Sequence, residues 1–240
     1  MAISISHVTI ELINYLNHHL HHLGGYYEKT TRSRLCLLLF HHYHPRPSHR
    51  KTQTDTNLTL QYPLIYVANE QAQESMNQLI ASYVGRMQNM YYQEKMYQVA
   101  MRYEVTYEDA DLLSLWVEQG WYNGQAAHGY YTQQGLVFNK HTGERIPAYN
   151  YVKLASNQQL KEFVGSSLLP VYSQNLKNRL LPNQLFGLPD IEIHNDNYIL
   201  LGNGAIAMLY QPYELSAYAY GVARVLFMPD KIEYINRLNS

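Results

Sequence analysis

The feature that most constrains the fold is the stretch of residues 197–229, which contains short apolar runs separated by turn residues. The first two runs, residues 197–201 and 205–210, flank the tripeptide Gly202-Asn203-Gly204. This tripeptide supplies the positive φ angles that a tight turn needs, and the runs are rich in residues that suit strands. The pattern predicts a β-hairpin.

A third apolar run, residues 222–228, predicts another strand. The linker before it carries Pro212, Tyr213, Tyr218 and Gly221. Aromatic rings bury area that a mobile loop would leave in water. We therefore expect this linker to be an ordered crossover.

Composition limits the classes of function. The formal net charge of the 240-residue chain is −1, so neither a nucleic-acid partner nor strong attraction to an anionic membrane is expected. Charged residues make up only 15% of the chain, below the usual level of about a quarter. The 24 tyrosines suit two uses, the packing of half-exposed sheets and the lining of binding surfaces.

No targeting signal is visible. Residues 1–23 lack a basic region, and the apolar run 35–40 is too short to span a bilayer, so no membrane insertion by this chain is expected. A trimmed sequence would give the same picture. Cys36 is alone, which excludes an internal disulfide and leaves the compartment unassigned.

Residues 1–53 differ from the rest and are interpreted as a His-rich leader or linker with weak order. They hold nine of the twelve histidines and end in a Pro-rich basic run, residues 45–51. His18 and His22 are four residues apart, the spacing of two metal ligands on one helix face. No Glu follows in a His-Glu-x-x-His arrangement, so only weak metal affinity is considered and no cofactor is expected.

Residues 54–150 predict a first α+β half. Asn69 is placed to cap a long helix whose apolar residues recur at spacings of three and four. Residues 97–108 then alternate as a strand, and two further strands with short turns would make an antiparallel meander. The third of these strands is expected around His128 to Phe138.

Residues 151–240 predict a second half with the same plan. Ser156 and Gln159 form a capping-box-like helix start, and Pro170 is expected to kink this helix or to begin another. Asp230 and Glu233 would open a terminal helix. The predicted fold class is therefore α+β, with antiparallel sheets packed against a long helix in two similar helix-plus-strands halves.

Three motifs occur in order between residues 57 and 239. Along the chain they are the glycine-rich stretch from Gly124 to His128-Gly129, the turn from Phe138-Asn139 to Thr142-Gly143, and Tyr210-Gln211-Pro212-Tyr213-Glu214 with Tyr218 and Gly221. Together they resemble a bacterial domain of unknown function. That domain forms the C-terminal half of the extracellular part of the lysozyme-sensing anti-sigma-V factor, and it also occurs beside the catalytic domain of some peptidoglycan deacetylases.

The resemblance implies a fold and a cell-envelope or extracytoplasmic location, but no reaction. It also implies candidate partners, a protein such as lysozyme or a peptidoglycan fragment. Two departures stand against a full transfer of the sensing role. One extra residue separates Gly124 from His128, and the usual membrane anchor or signal is missing.

The candidate binding residues are His128, Tyr213, Glu214 and Tyr218. Each of His128 and Glu214 could contact a ligand, act as an acid or base, or simply hold neighbouring loops by hydrogen bonds. The phosphate-cradle, dinucleotide and nucleophile-elbow glycine motifs do not occur.

Three functions remain open from the sequence. We expect a non-catalytic binding or sensing module of the cell envelope. The alternatives are a cell-wall hydrolase that uses His128 and Glu214 as an acid–base pair, and a purely structural domain.

Overall fold

The computed structural model describes residues 49–240, which form two five-stranded sheets and three α-helices. The mixed composition of helices and sheets confirms the predicted α+β class. The histidines His18 and His22 lie outside the described residues, as does most of the predicted leader.

Sheet 1 holds the strands from the first part of the described chain, in the spatial order β1-β2-β3-β4-β5. Only β2 and β3 are parallel, and the predicted meander of β3, β4 and β5 is confirmed. The bounds of its strands are β1 His49–Asp55, β2 Leu58–Leu64, β3 Gln98–Glu108, β4 Leu112–Tyr122 and β5 Tyr130–Asn139. His128 therefore precedes the third strand of the meander instead of opening it.

Strand β1 corrects the boundary of the leader. The composition predicts a leader or linker up to residue 53, but the whole of β1 pairs with β2 in antiparallel register, from His49 opposite Leu64 to Asp55 opposite Leu58. The basic residues and threonines of β1 are stabilised as a strand by pairing with β2. The Pro-rich composition of the preceding residues gives no sign of this pairing.

Helix α1, Glu70–Tyr92, connects the parallel strands β2 and β3. The side chain of Asn69 accepts hydrogen bonds from the backbone of Gln71 and Ala72 and so caps the first turn. One stripe of the helix is buried against sheet 1, and its residues are Ala72, Met76, Ile80, Tyr83, Val84 and Met87.

Sheet 2 has the order β7-β6-β10-β9-β8, and each neighbouring pair is antiparallel. Its strands are β6 Val171–Tyr172, β7 Arg179–Leu180, β8 Tyr198–Gly202, β9 Ala205–Tyr210 and β10 Ala223–Phe227. The predicted hairpin is confirmed, with φ angles of 83°, 48° and 76° at Gly202, Asn203 and Gly204. Because β9 and β10 pair directly, residues 211–222 form a wide loop between antiparallel neighbours, and the predicted crossover is wrong.

Two short helices flank sheet 2, α2 Asn157–Gly165 and α3 Pro229–Leu238. Ser156 caps α2 as predicted, by accepting the Gln159 N–H. Pro170 neither kinks this helix nor opens another, since α2 ends at Gly165 and the chain enters β6 after the proline. Helix α3 begins at Pro229 with Met228 as N-cap, so the capping box assigned to Asp230 is wrong.

The two faces of each sheet are buried against different partners. Leu115 and Val117 of β4 pack in one core with α1, whereas Trp116 between them packs with Ile199 and Leu209 of sheet 2. The other face of sheet 2 forms a third core with residues of α2 and α3. The order of layers is therefore helix, sheet, sheet, helices.

The two sheets approach closely where β5 passes β8. A Cβ atom at Gly135 would overlap the backbone of Tyr198, so only glycine permits this approach. The Gly135 N–H donates to the Asn197 Oδ1 at 2.7 Å, and the Leu200 N–H of β8 donates to the buried Ser114 Oγ at 2.9 Å. Side chains thus satisfy backbone groups at the edges of both sheets.

We predict that Gly135→Ala lowers the free energy of unfolding by about 3 kcal/mol, because the added methyl must push β5 and β8 apart. The matched control is Gly85→Ala in α1, where nothing lies within 4 Å of the added methyl. This control should stabilise the protein by about 0.5–1 kcal/mol, since alanine has a higher helix propensity than glycine. Urea denaturation measures both, and equal effects would contradict this account of the sheet contact.

Candidate functional site

Two loops meet beside the ends of β4 and β5, and six aromatic rings from the loops and these strand ends come together. One loop connects β4 to β5, and the other is the wide loop of residues 211–222. Contacting ring centroids lie 4.2–6.4 Å apart, and both Tyr213 and Tyr131 contact Tyr218. We call this set the aromatic row, and its members are Trp121, Tyr130, His128, Tyr218, Tyr213 and Tyr131.

His128 lies at the centre of the row. Its ring stacks on Tyr218 with centroids 4.2 Å apart, and its Nδ1 lies 2.8 Å from the Gly129 carbonyl oxygen. A carbonyl only accepts, so Nδ1 carries a proton and donates. The other ring nitrogen, Nε2, faces the Tyr213 hydroxyl at 3.4 Å. The Tyr218 hydroxyl donates to the same Gly129 carbonyl at 2.7 Å, which fixes the stack.

Tyr213 has a left-handed backbone, with φ of 71°. For a bulky side chain this conformation costs on the order of 1 kcal/mol and persists only where the surroundings impose it. The Tyr213 N–H donates to the Ser216 carbonyl at 3.1 Å, which closes the turn. The side chain is 52% exposed, as is that of Tyr130, so the row presents two rings to solvent.

A polar network supports the row from the side of the sheets. The Glu118 carboxylate accepts hydrogen bonds from Arg102 at 2.6 Å, Gln133 at 3.1 Å and Gln174 at 2.8 Å. Gln174 in turn accepts the Tyr131 hydroxyl at 3.0 Å. Burial and the negative charge of Glu118 raise the pKa of Tyr131 to about 12. The phenol therefore remains a neutral donor.

Arg224 lies under the same network and is almost fully buried. Its Nη2 donates to Gln133 at 3.4 Å, while its Nε has no hydrogen-bond partner among residues 49–240. Burial lowers the pKa of the guanidinium to about 10. The network is thus a structural support between the sheets, beneath the exposed rings.

Both carboxylate oxygens of Glu214 are bonded to groups other than His128. Its Oε2 accepts the Gln211 N–H at 2.6 Å, and its Oε1 lies 2.8 Å from the Nε2 of His194. The structure therefore brings together three of the predicted binding residues, His128, Tyr213 and Tyr218, and pairs the fourth with a histidine that sequence reasoning missed. The available signal was that His194 is one of only three histidines outside the leader.

Other candidate sites in the described chain are weak. Residues 49–240 contain no group of three His, Cys, Asp or Glu side chains that could hold a metal ion. A polar cleft of about 240 Å³ lies beside α2, lined by Asn157, Gln158, Lys161, Pro189, Asp190, Ile191 and Glu192. None of the predicted site residues lines this cleft.

Comparison with known proteins identifies the fold. The sequence matches no family profile and no curated protein. A solved structure of a DUF3298 family protein from Pseudomonas aeruginosa PAO1 superposes with a TM-score of 0.53 at 10% identity, over 80% of this chain and 94% of that chain. A DUF3298 family member from Bacteroides fragilis NCTC 9343 has a TM-score of 0.47 at 15% identity, over 78% of this chain and 91% of that chain. The chain therefore has the fold of the Pseudomonas protein.

In residues 49–240, no helix has the length and apolar character needed to cross a bilayer.

We predict that the Tyr131 phenol titrates near pH 12 and that Glu118→Gln lowers its pKa, because the substitution removes the nearby negative charge. Because the folded protein favours the neutral phenol, this contribution to stability is complete below about pH 10, the pKa of an unfolded tyrosine. It is lost as the pH rises through about 12, the pKa of Tyr131 in the folded protein. NMR of ¹³C-labelled tyrosine measures the titration, with Tyr131→Phe assigning the signal. An unchanged pKa in Glu118→Gln would contradict the assigned cause.

Proposed function

We propose that this chain is a DUF3298-type domain that acts as a non-catalytic binding or sensing module of the cell envelope. The sequence motifs and the shared fold support this proposal independently. The motifs resemble a bacterial domain of unknown function, and the Pseudomonas protein with the same fold belongs to a family that is also of unknown function.

The observation that carries the proposal is the exposure of the aromatic row. Tyr130 and Tyr213 are half exposed, yet each contacts another ring of the row and so loses little conformational entropy on binding. Rigid aromatic rings with polar tips are the side chains that dominate binding energy at interfaces. A strained, exposed tyrosine at the tip of a fixed turn fits a binding role.

The ligand we propose is lysozyme or a peptidoglycan fragment, on the basis of the sequence resemblance. An aromatic row suits either. A protein would contribute apolar and arginine side chains, and a glycan would place the apolar faces of its sugars on the rings.

The arrangement of His128 and Glu214 supports binding over hydrolysis. A general base must lie within hydrogen-bond reach of the proton it removes. Glu214 uses one oxygen for the Gln211 N–H and the other for His194, so it is not paired with His128, whose Nδ1 donates to the Gly129 carbonyl. Both side chains thus stabilise the loops that form the row.

We predict that the double variant Tyr130→Ala, Tyr213→Ala weakens ligand binding at least tenfold, because two exposed rings are lost from the centre of the contact. The control is Tyr149→Ala, which removes an equally exposed tyrosine outside the row and should retain binding. Calorimetric titration with lysozyme and with soluble peptidoglycan fragments measures the affinities.

The same samples separate the alternatives. Release of new products from peptidoglycan, detected by chromatography and abolished by His128→Ala, would replace the binding module with a hydrolase. Failure of both ligands to bind the wild-type protein would overturn the proposed ligands and favour a structural domain.

A further inference from the structure

Both ring nitrogens of His194 face hydrogen-bond acceptors. Its Nδ1 lies 2.8 Å from the Leu209 carbonyl oxygen, and its Nε2 lies 2.8 Å from the Glu214 carboxylate. Neither oxygen can donate when the carboxylate is ionised, so each nitrogen must carry a proton to make both bonds. The geometry is therefore that of an imidazolium, and a neutral ring would lose one of the two bonds.

Glu214 transmits this contact to the turn that carries Tyr213. One carboxylate oxygen takes the bond from His194, while the other accepts the Gln211 N–H and so closes the turn of residues 211–214. The Glu214 N–H donates to the Gln211 carbonyl at 3.0 Å across the same turn. The orientation of this carboxylate thus depends on His194.

The turn is anchored at its start but has fewer constraints at its tip. The Gln211 side chain exchanges two 2.8 Å hydrogen bonds with the backbone of Gln133 in β5. Tyr213 at the tip is exposed and has the costly left-handed conformation. Within residues 49–240, the only side-chain hydrogen bond of Tyr213 is the long contact to His128. The carboxylate of Glu214 therefore restrains the position of Tyr213, together with the bond from the Tyr213 N–H to the Ser216 carbonyl.

The surroundings of His194 favour its charged form. Burial lowers the pKa of His194, but the hydrogen bond and charge of Glu214, the Leu209 carbonyl and the charge of Glu192 outweigh burial and raise it above its ordinary value. The ring also stacks on Tyr210 at 4.4 Å, and that phenol donates to the Glu192 carbonyl at 2.7 Å. Burial raises the pKa of Tyr210, so it stays neutral here.

We propose that protonated His194 is a positioning residue, which holds the turn of residues 211–214 through Glu214 and keeps Tyr213 beside His128. Deprotonation of His194 removes the positive charge that faces Glu214 and one of the two hydrogen bonds of the ring, which loosens the turn and weakens binding at the aromatic row. The effect on binding rests on the function proposed above, whereas the effect on the turn does not.

The direction of the pH dependence follows from the raised pKa. The bonds of His194 contribute fully below the pKa of an unfolded histidine, about 6.5, and are lost as the pH rises through the higher pKa of the folded protein. The turn should therefore be tighter at pH 6 than in alkaline solution.

The test uses amide hydrogen exchange of the ligand-free protein, followed by NMR and corrected for the intrinsic effect of pH. In the wild type, the protection of the Gln211 and Tyr213 amides should fall about tenfold between pH 6 and pH 8.5, as expected for loss of a charge-assisted bond. In His194→Gln the protection should not depend on pH. The same pH dependence in this variant and the wild type would overturn the proposal.

A matched control is His141→Gln, which removes an exposed histidine that lies 2.7 Å from Asp111, away from the turn. This variant should keep the pH dependence of the wild type. If His194→Gln fails to fold, the proposal is tested instead by the pKa of the His194 ring, measured in the wild type and in Glu214→Gln. Its pKa should fall in Glu214→Gln, and an unchanged value would contradict the role of the pair.

Calorimetry at the two pH values then extends the test to binding. The affinity for lysozyme or peptidoglycan fragments should fall about tenfold from pH 6 to pH 8.5 in the wild type and stay constant in His194→Gln. Absence of binding at both pH values would count against the proposed ligands alone, because the amide protection tests the turn without a ligand. If the turn loosens between the two pH values but the affinity does not change, the positioning role is overturned.

Discussion

The structure depends on the contact between β5 and β8, where two sheets come together without sharing a ladder. Gly135 permits the approach, because any side chain there would overlap the backbone of Tyr198. Strand edges carry unpaired backbone groups, and burying them unpaired would be costly. Side chains fill this need, with Asn197 and Gln211 bonding β5 and Ser114 bonding β8. The edges are thereby satisfied and the two sheets are fixed in one relative position.

The position of the aromatic row follows from this junction. Gln211, which bonds the β5 edge, is also the first residue of the turn that carries Tyr213. The loop before β5 supplies His128, which stacks on Tyr218 of the loop between β9 and β10 of the other sheet. The row is consequently assembled from both sheets and would be lost if they separated. This arrangement gives exposed rings a rigid base, which lowers the entropic cost of binding.

The charged groups beneath the aromatic row and those at its side differ in burial. Beneath the row, Glu118 and Arg224 lie in a network that links the sheets, and burial lowers the pKa of the arginine. At the side of the row, His194 and Glu214 form a partly exposed pair. The buried network is suited to permanent support, since breaking it would strand charges. The partly exposed pair of His194 and Glu214 is suited to respond to pH, since histidine changes charge near neutrality.

Local patterns in the sequence were sufficient to predict several of the individual elements. Asn69 marks the start of α1, alternation marks the meander, and Gly202-Asn203-Gly204 marks the hairpin, because each depends on neighbours along the chain. The α+β class follows from their order. The tertiary structure alone decided the pairing of β1 with β2, the direct pairing of β9 with β10, and the partner of Glu214. These depend on contacts between residues distant in sequence, for which a single chain carries no periodic signal.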